Sequence, residues 1–378
     1  MIYFDHNATT PLVPSGLDRW VEVSRDFPGN PSSPHRMGSR ASHIIEEARQ
    51  SLADLLGGHP LDYIWTSSAT ECANMFFHHL SIDMKDRDGR VLVSAIEHPC
   101  VLEASLKFFP GRVDLIPVTP SGVVEADEVM ERVKEGRCLA LAIMAANNET
   151  GCLQPWKEIA ELAEHQGLPV LIDAVQWIGK MPFYSPSSQR FVSGSAHKFG
   201  GPKGSAFLRV PRGRFHPMVV GGPQEEARRA GTENVAGIAA MTEALRCSLN
   251  RTPEEVEERI RWKTEFENEL EGRMDARILG KESARLWNTT AAIMPDTGCP
   301  ARWVVKLDKL GFAVSTGSAC SSGKEKPSHV LTAMEISSEE ASRVLRFSSG
   351  WNTTREEWRG LLEALLQVRE ALTAEASA

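Results

Sequence analysis

The chain has 378 residues, of which 42% are hydrophobic and 24% are charged, and its formal net charge is −8. A chain of this length exceeds what one hydrophobic core usually supports, so we expect two domains packed together. The acidic balance argues against a broad surface for nucleic acid or membranes, since both need clustered lysine and arginine.

The seven cysteines are scattered along the chain, and no two of them form a Cys-x-x-Cys pair. This usage fits a reducing compartment better than a disulfide framework, and it offers no spacing typical of a zinc site. The first residues lack the pattern of a secretory signal, and no apolar run is long enough to span a bilayer. We therefore expect a cytoplasmic protein without a metal site.

Short apolar runs followed by polar loops and helical patterns recur along the chain. The runs predicted to be buried strands are Tyr63–Trp65, Val91–Ala95, Leu139–Met144, Val170–Ile172 and Arg190–Ser193. Helical spacing of apolar residues is found between them, for example over Trp156–Gln166. This alternation indicates an α/β domain around a mainly parallel sheet. In such sheets ligands bind at the carboxyl ends of the strands.

The segment Thr66–Glu71 follows the first of these strands and precedes an apolar helix pattern. Backbone N–H groups at a helix N-terminus, together with the hydroxyl of Thr70, would favour a phosphate dianion. Serine and threonine serve equally well as ordinary helix caps, so both interpretations stay open at this point.

Lys198 closes the run Ser193–Lys198, which directly follows the last predicted strand. A lysine held at a strand end among small residues can form a Schiff base with an aldehyde cofactor, which suggests pyridoxal phosphate. A surface lysine in a glycine-rich loop is the alternative, because single motifs also match by chance.

Three side chains after earlier strands could serve the same cofactor. Asp173 could pair with a protonated ring nitrogen, and Gln176 could then reach the ring's phenolic oxygen. His98 could stack on the ring and move a proton. The plainer alternatives are a helix-entry residue for Asp173 and a polar cap for His98.

Nine motifs occur in order from one end of the chain to the other. They are Tyr3–Pro11, Gly29–Ser33, Thr66–Glu71, Glu97–His98, Asn147–Gly151, Asp173–Gln176, Ser195–Lys198, Arg229–Asn234 and Ser318–Cys320. Through them the chain resembles the class V branch of the pyridoxal-phosphate aminotransferases, specifically the cysteine desulfurases of the nitrogen-fixation and iron–sulfur-cluster type. This resemblance implies fold type I, with a large domain over residues 13–252 and a small α+β domain from residues 1–12 and 253–378.

The resemblance also implies roles for individual residues. Lys198 would be the Schiff-base lysine, and Arg346 would clamp the substrate carboxylate with Asn148 assisting, because a guanidinium grips a carboxylate with two parallel hydrogen bonds. Thr232 would reach the phosphate bound by a neighbouring subunit, which implies a homodimer. The implied cofactor-binding residues are Ala69, Thr70, His98, Asp173, Gln176, Ser195, His197, Lys198 and Thr232.

Cys320 distinguishes a desulfurase from a transaminase, which needs no thiol there. It lies in Ser315–Gly323, a run of small and hydroxyl residues that predicts a mobile loop. By contrast, Cys72, Cys138 and Cys247 are predicted to be small buried hydrophobic residues.

The resemblance thus implies an enzyme that converts L-cysteine to L-alanine and leaves a persulfide on Cys320. The catalytic residues would be Cys320, Lys198 and His98, and a sulfur-acceptor or iron–sulfur scaffold protein would receive the sulfur. Two alternatives remain open. One is a class V aminotransferase or lyase for another amino acid, and the other is a catalytically silent interaction protein of the same fold.

Some features lie outside these motifs. Trp177 and Pro223 depart from the residues usual in the family and could reshape the edge of the pocket. A long charged helix is predicted over Glu254–Glu271. Thr353 and Thr354 each precede a glutamate by three residues, which is a doubled capping-box signal.

Overall fold

A computed structural model describes residues 1–185, 187, 189–297, 302–316 and 328–376. The helices are α1 (Pro14–Asp26), α2 (Arg36–Leu56), α3 (Ala69–Asp83), α4 (Pro99–Phe108), α5 (Ala126–Lys134), α6 (Trp156–His165), α7 (Val235–Leu249), α8 (Pro253–Met274), α9 (Arg302–Lys309), α10 (His329–Ala333), α11 (Ser338–Ser342) and α12 (Arg355–Ala376). The strands are β1 (Ile2–Tyr3), β2 (Tyr63–Thr66), β3 (Arg90–Ser94), β4 (Val113–Ile116), β5 (Cys138–Met144), β6 (Val170–Asp173), β7 (Phe191–Ser195), β8 (Ala206–Arg209), β9 (Arg277–Ile278), β10 (Thr289–Ile293), β11 (Phe312–Ala313), β12 (Ser315–Thr316) and β13 (Val344–Ser348).

The larger sheet of the described chain has the strand order β2-β8-β7-β6-β5-β3-β4. Strand β8 runs antiparallel to both of its neighbours, and all other neighbouring pairs are parallel. The prediction of a mainly parallel sheet is therefore confirmed. The carboxyl ends of β3, β5, β6 and β7 lie at one edge, where the residues after them can converge.

Strands β5 and β6 show why apolar runs form the centre of this sheet. In β5, Leu141 and Ile143 face one hydrophobic cluster and the alternating Ala140 and Ala142 face the other, and in β6 Leu171 faces the second cluster while its neighbours face the first. Alternate side chains of a strand point to opposite faces, so helices on both faces require apolar residues at every position. Two-sided burial thus explains the continuous apolar sequences of these strands.

A second sheet has the order β12-β13-β10-β9, with antiparallel pairing throughout. Its hydrophobic cluster includes Phe266 of α8, Phe347 of β13 and Trp358 of α12. The predicted long charged helix is α8. Its residues Phe266 and Leu270 are buried, whereas Ile260 is 44% exposed. The domain boundaries at residues 12–13 and 252–253 stay a prediction.

The N-terminal segment links the two sheets. The backbone N–H of His6 donates at 3.1 Å to the carbonyl of Ser348, the last residue of β13 in the second sheet. A few residues on, Thr10 N donates to His197 O at 2.7 Å, in the turn Ala196–Lys198 that follows β7. Residues 5–10 therefore cross the carboxyl edge of the larger sheet.

Other sequence expectations have mixed outcomes. Thr354 forms the predicted capping box with Glu357, whereas the hydroxyl of Thr353 instead accepts from Gly350 N at 2.9 Å. Cys72 is fully buried as predicted, but Cys138 and Cys247 are only partly buried. Among the described residues, no helix is long and apolar enough to cross a membrane, and no group of three or more metal-ligating side chains occurs.

Candidate active site

Lys198 lies in the short turn that follows β7, and its amine is directed at the N-terminal segment. Its Nζ donates to Asn7 O at 2.6 Å and to Ala8 O at 2.8 Å. The next turn is tight, since Gly200 has φ +88° and a Cβ there would lie 2.5 Å from Val13 Cγ1. Backbone packing therefore fixes the base of the lysine side chain.

Asp173 ends β6, beside β7, and is only 6% exposed. Its Oδ1 accepts hydrogen bonds from Val175 N at 3.0 Å and from Ser193 Oγ at 3.3 Å. Burial raises the pKa of this carboxyl, while these hydrogen bonds and the charge of Lys198 oppose the rise. Both hydrogen bonds within the described residues end on Oδ1, which leaves Oδ2 for another donor.

Gln176 is buried one turn after Asp173 and is held through Asn7. Its Nε2 donates to Asn7 O at 3.0 Å, and its Oε1 accepts from Lys180 Nζ. The carbonyl of Asn7 thus accepts from both Gln176 and Lys198. Asn7 thereby connects two side chains that come from separate strand ends.

His98 is the N-cap of α4, and its Nδ1 accepts from Cys100 N at 3.2 Å. The plainer interpretation of His98 as a cap is therefore confirmed, and this hydrogen bond also fixes the orientation of the ring. Burial lowers the pKa of His98 to about 4, and the nearby charge of Lys198 contributes. The imidazole is consequently neutral near pH 7, as a ring that accepts a proton must be.

His197 is also neutral near pH 7. Burial, followed by the charges of Lys198 and Lys203, lowers its pKa to about 4. Its Nδ1 lies 3.2 Å from the hydroxyl oxygen of Thr9. Like Lys198, this histidine contacts the N-terminal segment.

The first turn of α3 is the candidate phosphate site. Ser68 caps this helix by accepting from Glu71 N at 3.2 Å, so Thr70 is not needed as the cap. The hydroxyl of Thr70 lies close enough to Cys100 to favour its thiolate, although burial raises the pKa of that thiol. Helix α3, which begins at Ala69, packs against β7.

Two other predicted phosphate residues differ in exposure. Ser195 ends β7 and is 2% exposed, and its side chain does not cap the turn after it. Thr232 is exposed on the segment that precedes α7. Ser195 is thus available to a ligand from inside the protein, whereas Thr232 faces outward.

Arg346 of β13 is buried, with 2% of its side chain exposed. Its Nη2 donates to Asp5 Oδ1 at 2.7 Å and its Nη1 donates to Asn148 O at 3.0 Å. Its Nε is buried and has no hydrogen-bond partner in the described part of the chain. Asn148 therefore orients Arg346 through its carbonyl, and three of the five N–H donors of the guanidinium, Nε–H among them, remain for a ligand.

Cys320 lies outside the described residues, so the structure does not test the predicted loop. The described residue Ser328 donates from Oγ to Glu149 Oε2 at 2.6 Å and caps α10. Burial raises the pKa of Glu149 from its ordinary 4.5 to about 7, although Ser328 and Arg346 favour the ionised form. Glu149 thus titrates near neutral pH.

Replacing Glu149 by glutamine is expected to make the protein less sensitive to pH. The wild-type glutamate ionises near pH 4.5 when unfolded but near pH 7 when folded, so the free energy of unfolding falls as pH rises through this window. Glutamine can still accept from Ser328 but does not titrate. Between pH 4.5 and pH 8 we expect the wild type to lose up to about 3 kcal/mol of unfolding free energy that the variant retains. Urea unfolding of both proteins at the two pH values checks this, and a constant difference would contradict it.

The sequence analysis missed Asn7, Lys180 and Asp5 as functional candidates. Asn7 and Asp5 stand inside a quoted motif, but their contacts are with residues more than a hundred positions away. Lys180 gives a local signal, because it follows Gln176 by four residues and so shares its face in a helical turn. Trp177 packs edge-on against Trp156 in the core, with ring centroids 5.7 Å apart, so its bulk is directed into that cluster.

The structure combines a mainly parallel sheet with a lysine turn, a buried carboxylate and a capping histidine at one edge of that sheet. This combination indicates the protein family to which the chain belongs. The chain belongs to the class V aminotransferase family, whose pattern matches residues 2–361. Its fold is the fold type I of pyridoxal-phosphate enzymes, as predicted.

Comparison with individual relatives and solved structures indicates a narrower group within this family. The chain is 34% identical over 379 residues to the cysteine desulfurase IscS of Dictyoglomus turgidum, covering 98% of this chain and 95% of that protein. A solved NifS-like protein superimposes with a TM-score of 0.90 at 30% identity and covers 98% of this chain and 99% of its own. SspA, solved in complex with cysteine, gives a TM-score of 0.81 at 28% identity, covering 92% and 98%. The predicted resemblance to cysteine desulfurases is confirmed.

Proposed function

We propose that this protein is a cysteine desulfurase, which converts L-cysteine to L-alanine and leaves the sulfur as a persulfide on Cys320. One observation carries the assignment of the site. Residues 5–8 contact both the amine of Lys198 and the guanidinium of Arg346. A cofactor-binding lysine and a carboxylate-binding arginine are therefore close enough to serve one amino-acid substrate.

The residues at this edge fit pyridoxal phosphate. Oδ2 of Asp173 can accept from a ring N–H, the neutral imidazole of His98 can stack on the ring, and Gln176 retains an N–H for the phenolic oxygen. Ser195, His197 and the N-terminus of α3 offer donors to a phosphate, with Ala69 and Thr70 in its first turn. When bound, the cofactor withdraws electrons from the substrate Cα and so makes its proton acidic.

Arg346, Lys198 and Cys320 then have separate tasks in the reaction. Arg346 binds the substrate carboxylate, assisted by the segment at Asn148, and fixes the orientation of Cα. Lys198 Nζ accepts the proton from Cα and later returns a proton to the carbon skeleton. The thiolate of Cys320 attacks the substrate sulfur, so an S–S bond forms while the C–S bond breaks and its electron pair stays with carbon. Protonation of that carbon gives L-alanine, and the holding of both sulfurs in one site supplies much of the rate gain.

The proposal extends to partners and location. The exposed Thr232 would complete the phosphate site of a second copy, so we propose a homodimer with shared sites. A sulfur-acceptor or iron–sulfur scaffold protein would take the persulfide sulfur, in the cytoplasm. The division into domains at residues 13–252 is proposed with it, since substrate would bind where the two sheets meet.

The direct test is to incubate the pyridoxal-phosphate-loaded protein with L-cysteine and a thiol reductant. We expect equal amounts of alanine and sulfide, and mass spectrometry without reductant should locate one additional sulfur atom on the peptide that contains Cys320. Amino-group transfer to a keto acid without sulfide would instead favour an aminotransferase. A colourless protein that takes up no cofactor would favour a silent interaction protein.

Replacing Arg346 by lysine is expected to raise KM for cysteine about 10- to 100-fold, with a smaller effect on kcat. A lysine ammonium cannot make the paired hydrogen bonds of a guanidinium, and a charge-assisted hydrogen bond contributes about 1.5–3 kcal/mol. Steady-state kinetics of sulfide release check this. Arg343→Lys is the matched control, because Arg343 directly precedes the same strand β13 but donates from Nη1 to Met294 O at 3.3 Å instead of contacting Asp5 or Asn148. Equal KM values for Arg346→Lys and the wild type would remove Arg346 from the substrate site.

A further inference from the structure

Lys180 is a buried lysine to which the proposed reaction gives no task. Its side chain is 7% exposed, and its contacts within the described residues include no carboxylate. Nζ donates to Asn7 Oδ1 at 2.9 Å and to Gln176 Oε1. Burying an amine without an acidic partner costs free energy, so a compensating role is expected.

The backbone of Lys180 is firmly held beside the lysine turn. Its N–H donates to Trp177 O at 3.0 Å, and its carbonyl accepts from Trp287 Nε1 at 3.0 Å. The preceding Gly179 has φ +80°, and a Cβ there would lie 2.3 Å from Cβ of Phe199, the residue after the catalytic lysine. The side chain of Lys180 therefore starts from a defined place.

The two partners of the Gln176 amide have opposite character. The Asn7 carbonyl can only accept, whereas the Lys180 amine carries N–H groups that donate to Asn7 Oδ1 and Gln176 Oε1. The amide oxygen and nitrogen of glutamine have nearly the same shape, so hydrogen-bond partners determine which end faces which way. Here Oε1 faces Lys180 and Nε2 faces Asn7 O, and Nε2 keeps a second N–H.

The two N–H donors that Lys180 uses are also present in a neutral amine. Burial lowers the pKa of Lys180 well below its usual range, and the charges of Lys198 and Arg346 act in the same direction. The hydrogen bonds to Asn7 and Gln176 therefore persist in either protonation state. Its role depends on donated hydrogen bonds rather than on charge.

We infer that Lys180 is a positioning residue that holds the Gln176 carboxamide so that it offers an N–H, and not its carbonyl oxygen, to the phenolic oxygen of the cofactor. This inference rests on the cofactor site of the proposed function. An N–H at that place stabilises an anionic ring oxygen, whereas a carbonyl oxygen would repel it.

The test is the pH titration of the visible absorbance of the bound cofactor, without substrate. Lys180→Met keeps an unbranched side chain but donates no hydrogen bond. In this variant we expect the apparent pKa of the bound cofactor to rise by about half to one unit, because the ring oxygen loses its oriented donor. A shift of this size corresponds to the free energy of one hydrogen bond. Lys203→Met is the matched control, since Lys203 is exposed and close enough to influence His197, and its removal should shift the curve by no more than about 0.2 unit.

A double-variant cycle separates positioning from a general structural effect. If Lys180 acts through Gln176, Lys180→Met should cause no further shift in a Gln176→Met background. Additive shifts would overturn the inference. So would an unchanged titration of Lys180→Met in a protein whose wild type binds the cofactor normally, whereas a wild type that binds no cofactor contradicts the proposed function itself.

A second variant covers the case in which Lys180→Met does not fold. Lys180→Gln keeps an N–H donor and removes the charge, so its titration should lie within about 0.2 unit of the wild type. A shift in Lys180→Gln of half a unit or more would show that charge matters and would overturn the inference.

Discussion

Replacing Cys320 by serine is expected to abolish persulfide formation and sulfide release, while the visible absorbance of the bound cofactor stays intact. A serine hydroxyl is not ionised near neutral pH and cannot form an S–S bond, so the C–S bond of the substrate stays unbroken. Alanine production should fall by about 10³-fold or more, by analogy with the loss of other catalytic nucleophiles. Sulfide assay and mass spectrometry of the variant measure this directly.

The other cysteines provide the control and the rival outcome. Burial raises the pKa values of Cys100 and Cys138 to about 12, so both stay protonated near neutral pH. Cys138 begins β5, and Cys138→Ser should therefore release sulfide at the wild-type rate. Cys100 lies near Thr70 at the candidate phosphate site. A persulfide found on Cys100 in the Cys320→Ser protein would therefore identify Cys100 as the nucleophile instead.

Replacing Lys198 by alanine is expected to cost about 10³-fold or more in alanine formation and to change the visible spectrum. In the proposed reaction the variant lacks the amine that binds the aldehyde and also the group that moves the proton at Cα, and general acid–base catalysis alone contributes about 10²- to 10⁴-fold. Borohydride reduction followed by peptide mapping should label residue 198 in the wild type and leave the variant unlabelled.

Two other lysines, Lys203 and Lys180, serve as controls for the position of the borohydride label. Lys203→Ala removes an exposed lysine five residues away and should keep both the label and the activity. Lys180 shares Asn7 with Lys198, since one amine binds its side-chain oxygen and the other its backbone oxygen. A label on Lys180 in the wild type would contradict the assignment of Lys198.

Most of the larger sheet could be predicted from the sequence because burial on both faces produces a continuous apolar run in each strand. The five predicted strands differ from the observed ones by one or two residues, mainly at polar ends such as Asp173 and Ser195, whereas β4 and β8 of the same sheet were not predicted. The backbone pairing of β6 and β7 continues through these residues, although their side chains break the apolar run. An apolar pattern indicates which residues are buried, but it does not indicate where the hydrogen bonding between strands ends.

The candidate site was predicted only in part for a similar reason. Residues that follow a strand, such as Lys198, could be placed because the topology brings strand ends together. The pairing of Arg346 with Asp5 spans 341 positions and leaves no periodic signal. The role of Cys320 depends on a segment outside the described residues, and its assignment remains a prediction from the sequence.

The N-terminal segment has a consequence for how the protein matures. Ile2 and Phe4 hydrogen-bond to Gly311 and Ala313, and Ser348 binds Phe4 and His6. A nascent chain therefore lacks the partners of its first residues until some three hundred more have left the ribosome, and contacts of such long sequence separation form slowly. The candidate active site around Lys198 is completed only after synthesis of β13, so truncated translation products should retain the parallel sheet yet lack a complete active site.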